Sequence, residues 1–369
     1  METSPPWMLT ERHDAGDTTS YVARFESVGV ELPSRRLSTK DLMASTRHRT
    51  NIDLERLTGI RERRICADGE SSLSLAIGAA KDCLSRSKHV ASDLEMVISA
   101  SITHYVSPTT HQFEPPLGQA IKAGIGATTA RSLDVSNACA GMMTGVFLLN
   151  DMIRRGKIRC GMVVSGEYIS GLGVNAAHDI RSIFSRQLAS LTLGDAGAAV
   201  IVERATEGEP GISIAAFTTL SEHSRLCLGY PAPHRPGARM LTKARTIHRV
   251  AMEDAPPLLD EIVRETGIAV SDIDWLIPHQ TSARAIAAGT RELEAQLGGA
   301  PKHVVCNVEE LGNTASTTHF VALHRYLSEG RFARGERILL LSLASGLEIG
   351  VVLFEMDELL EGFSREHAH

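Results

Sequence analysis

Hydrophobic and polar positions follow two different periods along this chain. After a polar opening stretch (1–20), the β-branched run "YVARFESVGV" (21–30) predicts a strand. "SSLSLAIGAAKDCLSRS" (71–87) places apolar residues at helical spacing behind serine caps and predicts an amphipathic helix. Strands are predicted again at "LEMVISASI", "GMVVSGEYI" and "AGAAVIVERA". After the turn-rich "TEGEP" (206–210), "GISIAAFTTL" opens a new strand, followed by a Pro-rich loop (231–238), the helix "MEDAPPLLDEIVRETG" and the apolar strand "IDWLIPH". Mostly apolar strands alternating with helices predict an α/β protein with buried strands. The first twenty residues are expected to form a disordered tail.

The pattern also repeats. "CAGMMTGVFLLNDMIRRGKIRCGMVVSG" from Cys139 and "NTASTTHFVALHRYLSEGRFARGERILLLSLASG" from Asn313 share one order: small residues, apolar helix, glycine, basic turn, strand, Ser-containing glycine turn. Cys139 stands 17 positions before Gly156, and Asn313 stands 17 before Gly330. Internal self-similarity of this kind predicts two similar halves, at 21–205 and 206–369, with Cys139 and Asn313 at equivalent helix N-termini. Small residues at both helix starts let a substrate or the other half approach the backbone closely.

Composition narrows the function. A chain of 369 residues with 43% hydrophobic and 22% charged residues is long enough for two or three domain-sized units. A net charge of −6 gives no sign of a nucleic-acid or anionic-membrane partner. Six scattered cysteines without a CxxC pair fit a reducing compartment. The N-terminus carries no apolar signal-peptide core, and no apolar run reaches the ~18–20 residues needed to span a bilayer, so a cytoplasmic location is expected.

Three positions carry candidate chemistry. Cys139, in "DVSNACAGMMTG", sits where a strand turns sharply into a helix. The helix N-terminus there is expected to lower the thiol pKa and to offer N–H groups to an oxyanion. His279 ends the apolar strand "DIDWLIPH", which fixes an imidazole at a strand end to donate a hydrogen bond or accept a proton. Asn313, in "LGNTAST", offers an amide that donates without titrating, suited to an anionic oxygen. Each type also has a purely structural use, as a packed thiol, a buried strand end or a helix cap. No HExxH or similar ligand spacing points to a metal. "GLGVNA" (171–176) fits a dinucleotide pattern but follows a strand end, opens no clear helix and lacks the ribose-binding acid, so no nucleotide cofactor is expected.

Cys139 in "NACAG", His279 in "DWLIPHQTSARAI" and Asn313 in "LGNTAST" resemble the Cys–His–Asn triad of the thiolase superfamily, and most of all its β-ketoacyl-acyl-carrier-protein synthase III group. The resemblance runs from about 21 to 356 and includes "TGIRERRI", "LTLGDAGAAVIV" and "LSLASGLEIGVVLF". It implies a five-layered αβαβα fold of two duplicated halves, a homodimer, and acyl thioester substrates on coenzyme A or acyl carrier protein with no further cofactor. In that scheme Cys139 takes the acyl group, while His279 and Asn313 hold the thioester carbonyl of a second, malonyl, substrate during a Claisen condensation. The backbone N–H groups of Cys139 and Gly346 form the oxyanion hole, and Arg284 docks the carrier protein. Specialised lipid or polyketide metabolism is the expected setting. Acyl transfer to an alcohol or amine and a non-catalytic partner-subunit role are the alternatives.

Three departures stand out. The family's triple-glycine turn is Ala344-Ser345-Gly346 here. A tryptophan and an arginine that clamp the coenzyme A adenine in bacterial relatives are replaced by Asp53 and Leu57. Glu114, 25 residues before Cys139, resembles the base of long-chain olefin-pathway synthases, which condense two acyl thioesters head to head without decarboxylation.

Overall fold

The computed structural model describes residues 8–10, 21–48 and 50–364. Of the expected tail, residues 1–7 and 11–20 lie outside this description, and Met8–Thr10 pairs as an antiparallel edge strand with Ile212–Thr219.

Two mixed sheets organise the molecule. The first lies in the order Ala23–Glu31, Ala196–Arg204, Cys160–Glu167, Met96–Ser99, Arg131–Asp134. Apart from the short edge strand, the second runs Ile212–Thr219, Glu348–Glu355, Arg337–Ala344, Trp275–Pro278, His303–Val304. Numbered by chain order within its own half, each sheet reads 1-5-4-2-3, with two antiparallel pairings followed by two parallel ones. The duplication predicted from the sequence is therefore present as identical topology. The change from one sheet to the other falls between Arg204 and Ile212, at the turn-rich "TEGEP".

Helices Gly141–Arg154 and Thr318–Ser328 lie between the sheets, and no residue of either is exposed. Met142, Val146, Leu149, Phe320, Ala322 and Leu323 join Val163, Val200, Leu340 and Val352 in one core that spans both halves. Helix Ser72–Arg86 covers the outer face of the first sheet, opened by a capping box between Ser71 and Ser74. It fits so closely that a Cβ on Gly166 would lie 1.9 Å from the Ser72 carbonyl oxygen. Helices Ala244–Thr266 and Ala283–Leu297 cover the outer face of the second. Five layers, αβαβα, result.

Two predicted details differ. Residues Gly171–Asp179 form a helix where none was expected. The Pro-rich loop is the tip of a hairpin whose strands are Cys227–Pro231 and Ala238–Thr242.

Candidate active site

The two central helices start in the same way, and their starts meet. Ala138 takes a left-handed φ of 44°, followed by a 3₁₀ turn to Ala140 and the helix from Gly141. Ala315 takes a φ of 55°, followed by a 3₁₀ turn to Thr317 and the helix from Thr318. A positive φ is unusual for a residue with a Cβ and marks a backbone bent for a purpose. The two 3₁₀ turns pack against each other.

This correspondence corrects the sequence alignment of the halves. The helix ends match at Gly156 and Gly330, both in left-handed conformation, but helix Gly141–Arg154 has 14 residues and helix Thr318–Ser328 has 11. Counting back from the glycines therefore slips by three, and Ser316, not Asn313, occupies the place of Cys139. Asn313 lies just ahead of the equivalent turn.

Each candidate residue has a definite support. The Cys139 turn packs on the ends of strands Arg337–Ala344 and Glu348–Glu355, whose connection carries Gly346. Gly346 has a φ of 144°, a region that glycine alone enters readily. Asn313 is clamped by the "LTLGD" segment. Its N–H donates to the Thr192 carbonyl (2.8 Å), and its own carbonyl accepts from Gly194 N–H (3.0 Å). A Cβ on Gly194 would lie 2.3 Å from the Leu311 carbonyl oxygen, so the approach needs glycine. Asn313 Oδ1 accepts from Ala315 N–H at 2.9 Å. The amide oxygen thus acts as a local cap, and the orientation leaves Nδ2 as the free donor. His279 follows strand Trp275–Pro278 directly, and its N–H donates to the Leu341 carbonyl at 2.9 Å. Leu341 also accepts from His319 Nε2 (3.0 Å), and the two imidazoles lie 5.8 Å apart.

Electrostatics separates the three. His279 is only 5% exposed, and burial pulls its pKa down to about 3, with His319 acting in the same direction. A neutral imidazole is what a hydrogen-bond donor to a carbonyl or enolate oxygen needs to be. Cys139 departs from expectation. Burial among Ile102, Ile169, Leu193 and Ala315 pushes the thiol up, and Cys227 and Glu167 add to the rise. The predicted fall from the helix terminus is outweighed because the thiol sits in an apolar cluster one 3₁₀ turn ahead of the helix.

The buried histidines carry a stability consequence. Burial holds His279 at about 3 and His319 at about 4, below the ~6.5 of an unfolded chain. Below pH ~6.5 the unfolded chain therefore takes up protons that the folded one refuses. Stability is full above that pH and falls as pH drops toward 4, approaching ~1.4 kcal/mol per pH unit for each histidine. Urea midpoints are expected to be lower at pH 5 than at pH 7.5, with a smaller difference in His319→Gln. Equal midpoints in the wild type at the two pH values contradict this account.

The remaining predicted positions are dispersed. Glu114 is exposed, on the segment after the hairpin Tyr105–Ser107/Thr110–His111, beside the exposed Phe113. Arg284 is exposed in the first turn of helix Ala283–Leu297. Asp53 Oδ1 caps the short helix Leu54–Thr58 by accepting from Arg56 N–H (2.9 Å), and Leu57 is exposed. Among the described residues no group of three or more His, Cys, Asp or Glu is placed to hold a metal.

Sequence reasoning missed the supports. Arg63, 1% exposed, donates to the Leu191 carbonyl (2.6 Å) and to Thr39 Oγ1 (2.5 Å) behind the Asn313 clamp. Asp195 gathers the N–H groups of Cys66, Ile169 and Ser170 and the Ser170 hydroxyl. Glu167 and Ser316 meet beneath the paired turns. Arg63 and Asp195 lie inside motifs already singled out; nothing in the sequence marks Glu167.

Comparison with known proteins gives the family and the fold. The family model described as 3-oxoacyl-[acyl-carrier-protein] synthase III matches residues 133–222, and that of its C-terminal part matches 263–356. The β-ketoacyl-[acyl-carrier-protein] synthase III of Symbiobacterium thermophilum is 30% identical over 324 residues, covering 82% of this chain and 92% of the relative. The chain belongs to the β-ketoacyl-acyl-carrier-protein synthase III family. Another member, from Rhodospirillum centenum, is 28% identical, covering 88% of this chain and 96% of its own. Among solved structures, the synthase III of Aquifex aeolicus superposes with a TM-score of 0.76 at 25% identity, covering 90% and 100% of the two chains. A cysteine-to-serine variant of Xanthomonas campestris OleA, solved with lauric acid and lauroyl-CoA, gives 0.78 at 21% identity over 91% and 99%. The thiolase-like fold and a ketosynthase III-type condensing activity follow from this membership.

Proposed function

We propose that Cys139 accepts an acyl group from a coenzyme A or acyl-carrier-protein thioester, and that His279 and Asn313 then hold the carbonyl of a malonyl thioester during decarboxylative condensation. The observation that carries this reading is the packing of the Cys139 turn on the turn that follows Asn313, with His279 tied to the strand beneath through Leu341. Thiolate attack on the thioester gives a tetrahedral oxyanion, which the N–H groups of Cys139 and Gly346 stabilise before the thiol leaving group departs. In the second half-reaction, loss of carbon dioxide from the malonyl group leaves an enolate. Its oxygen accepts from His279 Nε2 and Asn313 Nδ2, and its α-carbon attacks the acyl-enzyme and frees Cys139. The missing adenine clamp at Asp53 and Leu57 favours specialised lipid or polyketide metabolism over a housekeeping priming step. Arg284, exposed beside the site's strand, suits the phosphate and acidic surface of a carrier protein.

Head-to-head condensation is the second reading, favoured by Glu114. Its neighbour Phe113 is 81% exposed and Phe184 is 76% exposed, apolar surface that supports a homodimer. A partner subunit covering that surface brings Glu114 of one copy toward the site of the other, where the carboxylate takes the α-proton in place of decarboxylation.

Product analysis after incubation with acyl thioesters of graded length, with and without malonyl thioester, separates the two. Product that requires malonyl thioester and survives in Glu114→Ala supports the decarboxylative reading. Product formed without it, and reduced ~100-fold or more in Glu114→Ala, supports the head-to-head one. No product from any donor overturns both.

A further inference from the structure

The duplicated halves cross over at their centre. Strand Arg337–Ala344 of the second half backs the Cys139 turn, and strand Cys160–Glu167 of the first half backs the Ser316 turn. These strands are equivalent in the two sheets, so Glu167, the last residue of one, corresponds to Ala344, the last residue of the other. On the catalytic side the strand end is an alanine and the turn bears a thiol. On the other side the strand end is a glutamate, and the turn bears a hydroxyl that is bonded to it.

Glu167 is wholly buried and densely bonded. Oε1 accepts from the Ser316 hydroxyl, from Ile102 N–H at 2.9 Å and from the Ser165 hydroxyl at 3.3 Å; Oε2 accepts from Thr103 Oγ1 at 3.1 Å. Ser165 and Ser316 hydroxyls lie 2.8 Å apart. Among the described residues no basic side chain pairs with it. Ile102 packs in the same small cluster as Cys139 and Ala315. The carboxyl therefore joins the segment beside Cys139 to the turn that follows Asn313.

We propose that Glu167 is a positioning residue of the condensing site: through Ile102 and Ser316 it holds the nucleophile turn and the Asn313 turn in register, and its charge opposes that of the Cys139 thiolate. The proposal rests on the condensing reading above. Burial raises the Glu167 carboxyl to about 7, so its charge varies across the working range. Among the described residues, ionisable groups near the pair include Cys227 on the neighbouring hairpin strand, near Cys139, Tyr168, which follows Glu167 in the chain, and Asp195, next to Ala196, the strand partner of Glu167. Asp195 is engaged by Cys66, Ile169 and Ser170.

Glu167→Gln keeps the acceptor oxygen and removes the charge, whereas Glu167→Ala removes both. The first readout is the rate of Cys139 alkylation by iodoacetamide against pH, which does not depend on any substrate. In Glu167→Gln the profile is expected to move about one pH unit toward acid. The second readout applies to Glu167→Ala: condensation turnover is expected to fall at least tenfold with the KM for the acyl donor within threefold, and Glu167→Gln is expected to restore most of it. An alkylation profile in Glu167→Gln that superimposes on wild type overturns the proposal, whether or not Glu167→Ala folds. So does a Glu167→Ala protein whose acylation and condensation fall together in proportion to its folded fraction. If neither variant nor wild type condenses any thioester while the alkylation shift appears, the charge coupling stands and the substrate reading fails.

Discussion

Cys139→Ala is expected to abolish acyl-enzyme formation entirely. Intact-protein mass spectrometry after incubation with acyl thioesters should show one acyl adduct on the wild type and none on the variant. Turnover should fall roughly 10³-fold or more if Cys139 is the nucleophile, as proposed. The raised thiol makes this test informative. A half-buried Cys139 with an unfavourable thiolate is reactive only if the bound thioester, the turn's N–H groups and a proton acceptor act together. Free iodoacetamide should therefore alkylate Cys139 slowly at pH 7, while acylation by a matched thioester is fast. Cys227 shares the site and is the thiol to watch. An adduct that persists in Cys139→Ala and disappears in Cys227→Ala moves the nucleophile to the hairpin and overturns the assignment.

Asn313→Ala is expected to separate the two half-reactions. In the proposed scheme the Nδ2 donor serves only the second substrate, so acylation should stay within about threefold of wild type. Condensation should fall about 10²–10³-fold, the usual loss for one oxyanion donor. The acyl-enzyme should accumulate, visible as a stable adduct in the presence of malonyl thioester. One structural cost accompanies the change: Asn313 Oδ1 caps Ala315 N–H, and losing that bond strains a turn already held at a positive φ. Asn313→Asp controls for it, since the acid keeps the cap oxygen and places a negative charge where the enolate forms. It should fold like wild type and condense no better than Asn313→Ala. Equal losses of acylation and condensation in a folded Asn313→Ala protein place this residue in the first half-reaction instead.

Much of this protein was legible in the chain alone. Apolar strands bounded by glycine and turn residues, and a helix behind Ser71, set the elements, because period and capping are local properties. The duplication showed as a repeated order of element types, and the topology of the two sheets agrees with it. Cys139 and Asn313 stood out as candidates because each lies near an element boundary amid small residues, and His279 because it ends an apolar strand.

Tertiary structure alone decided the rest. Which residues of the halves are equivalent could not be counted from the glycines, since one central helix is three residues shorter and only the paired positive-φ alanines reveal the register. The sign of the Cys139 shift depends on how much apolar surface closes over it, and that surface comes from residues 102, 169, 193 and 315, distant in the chain. Glu167 ends an ordinary apolar strand in the sequence. It acquires a role because the halves cross, which carries one half's strand end beneath the other half's turn. Periodicity and capping depend on a few neighbouring residues and can be read in order; desolvation and long-range hydrogen bonds depend on what the fold brings alongside.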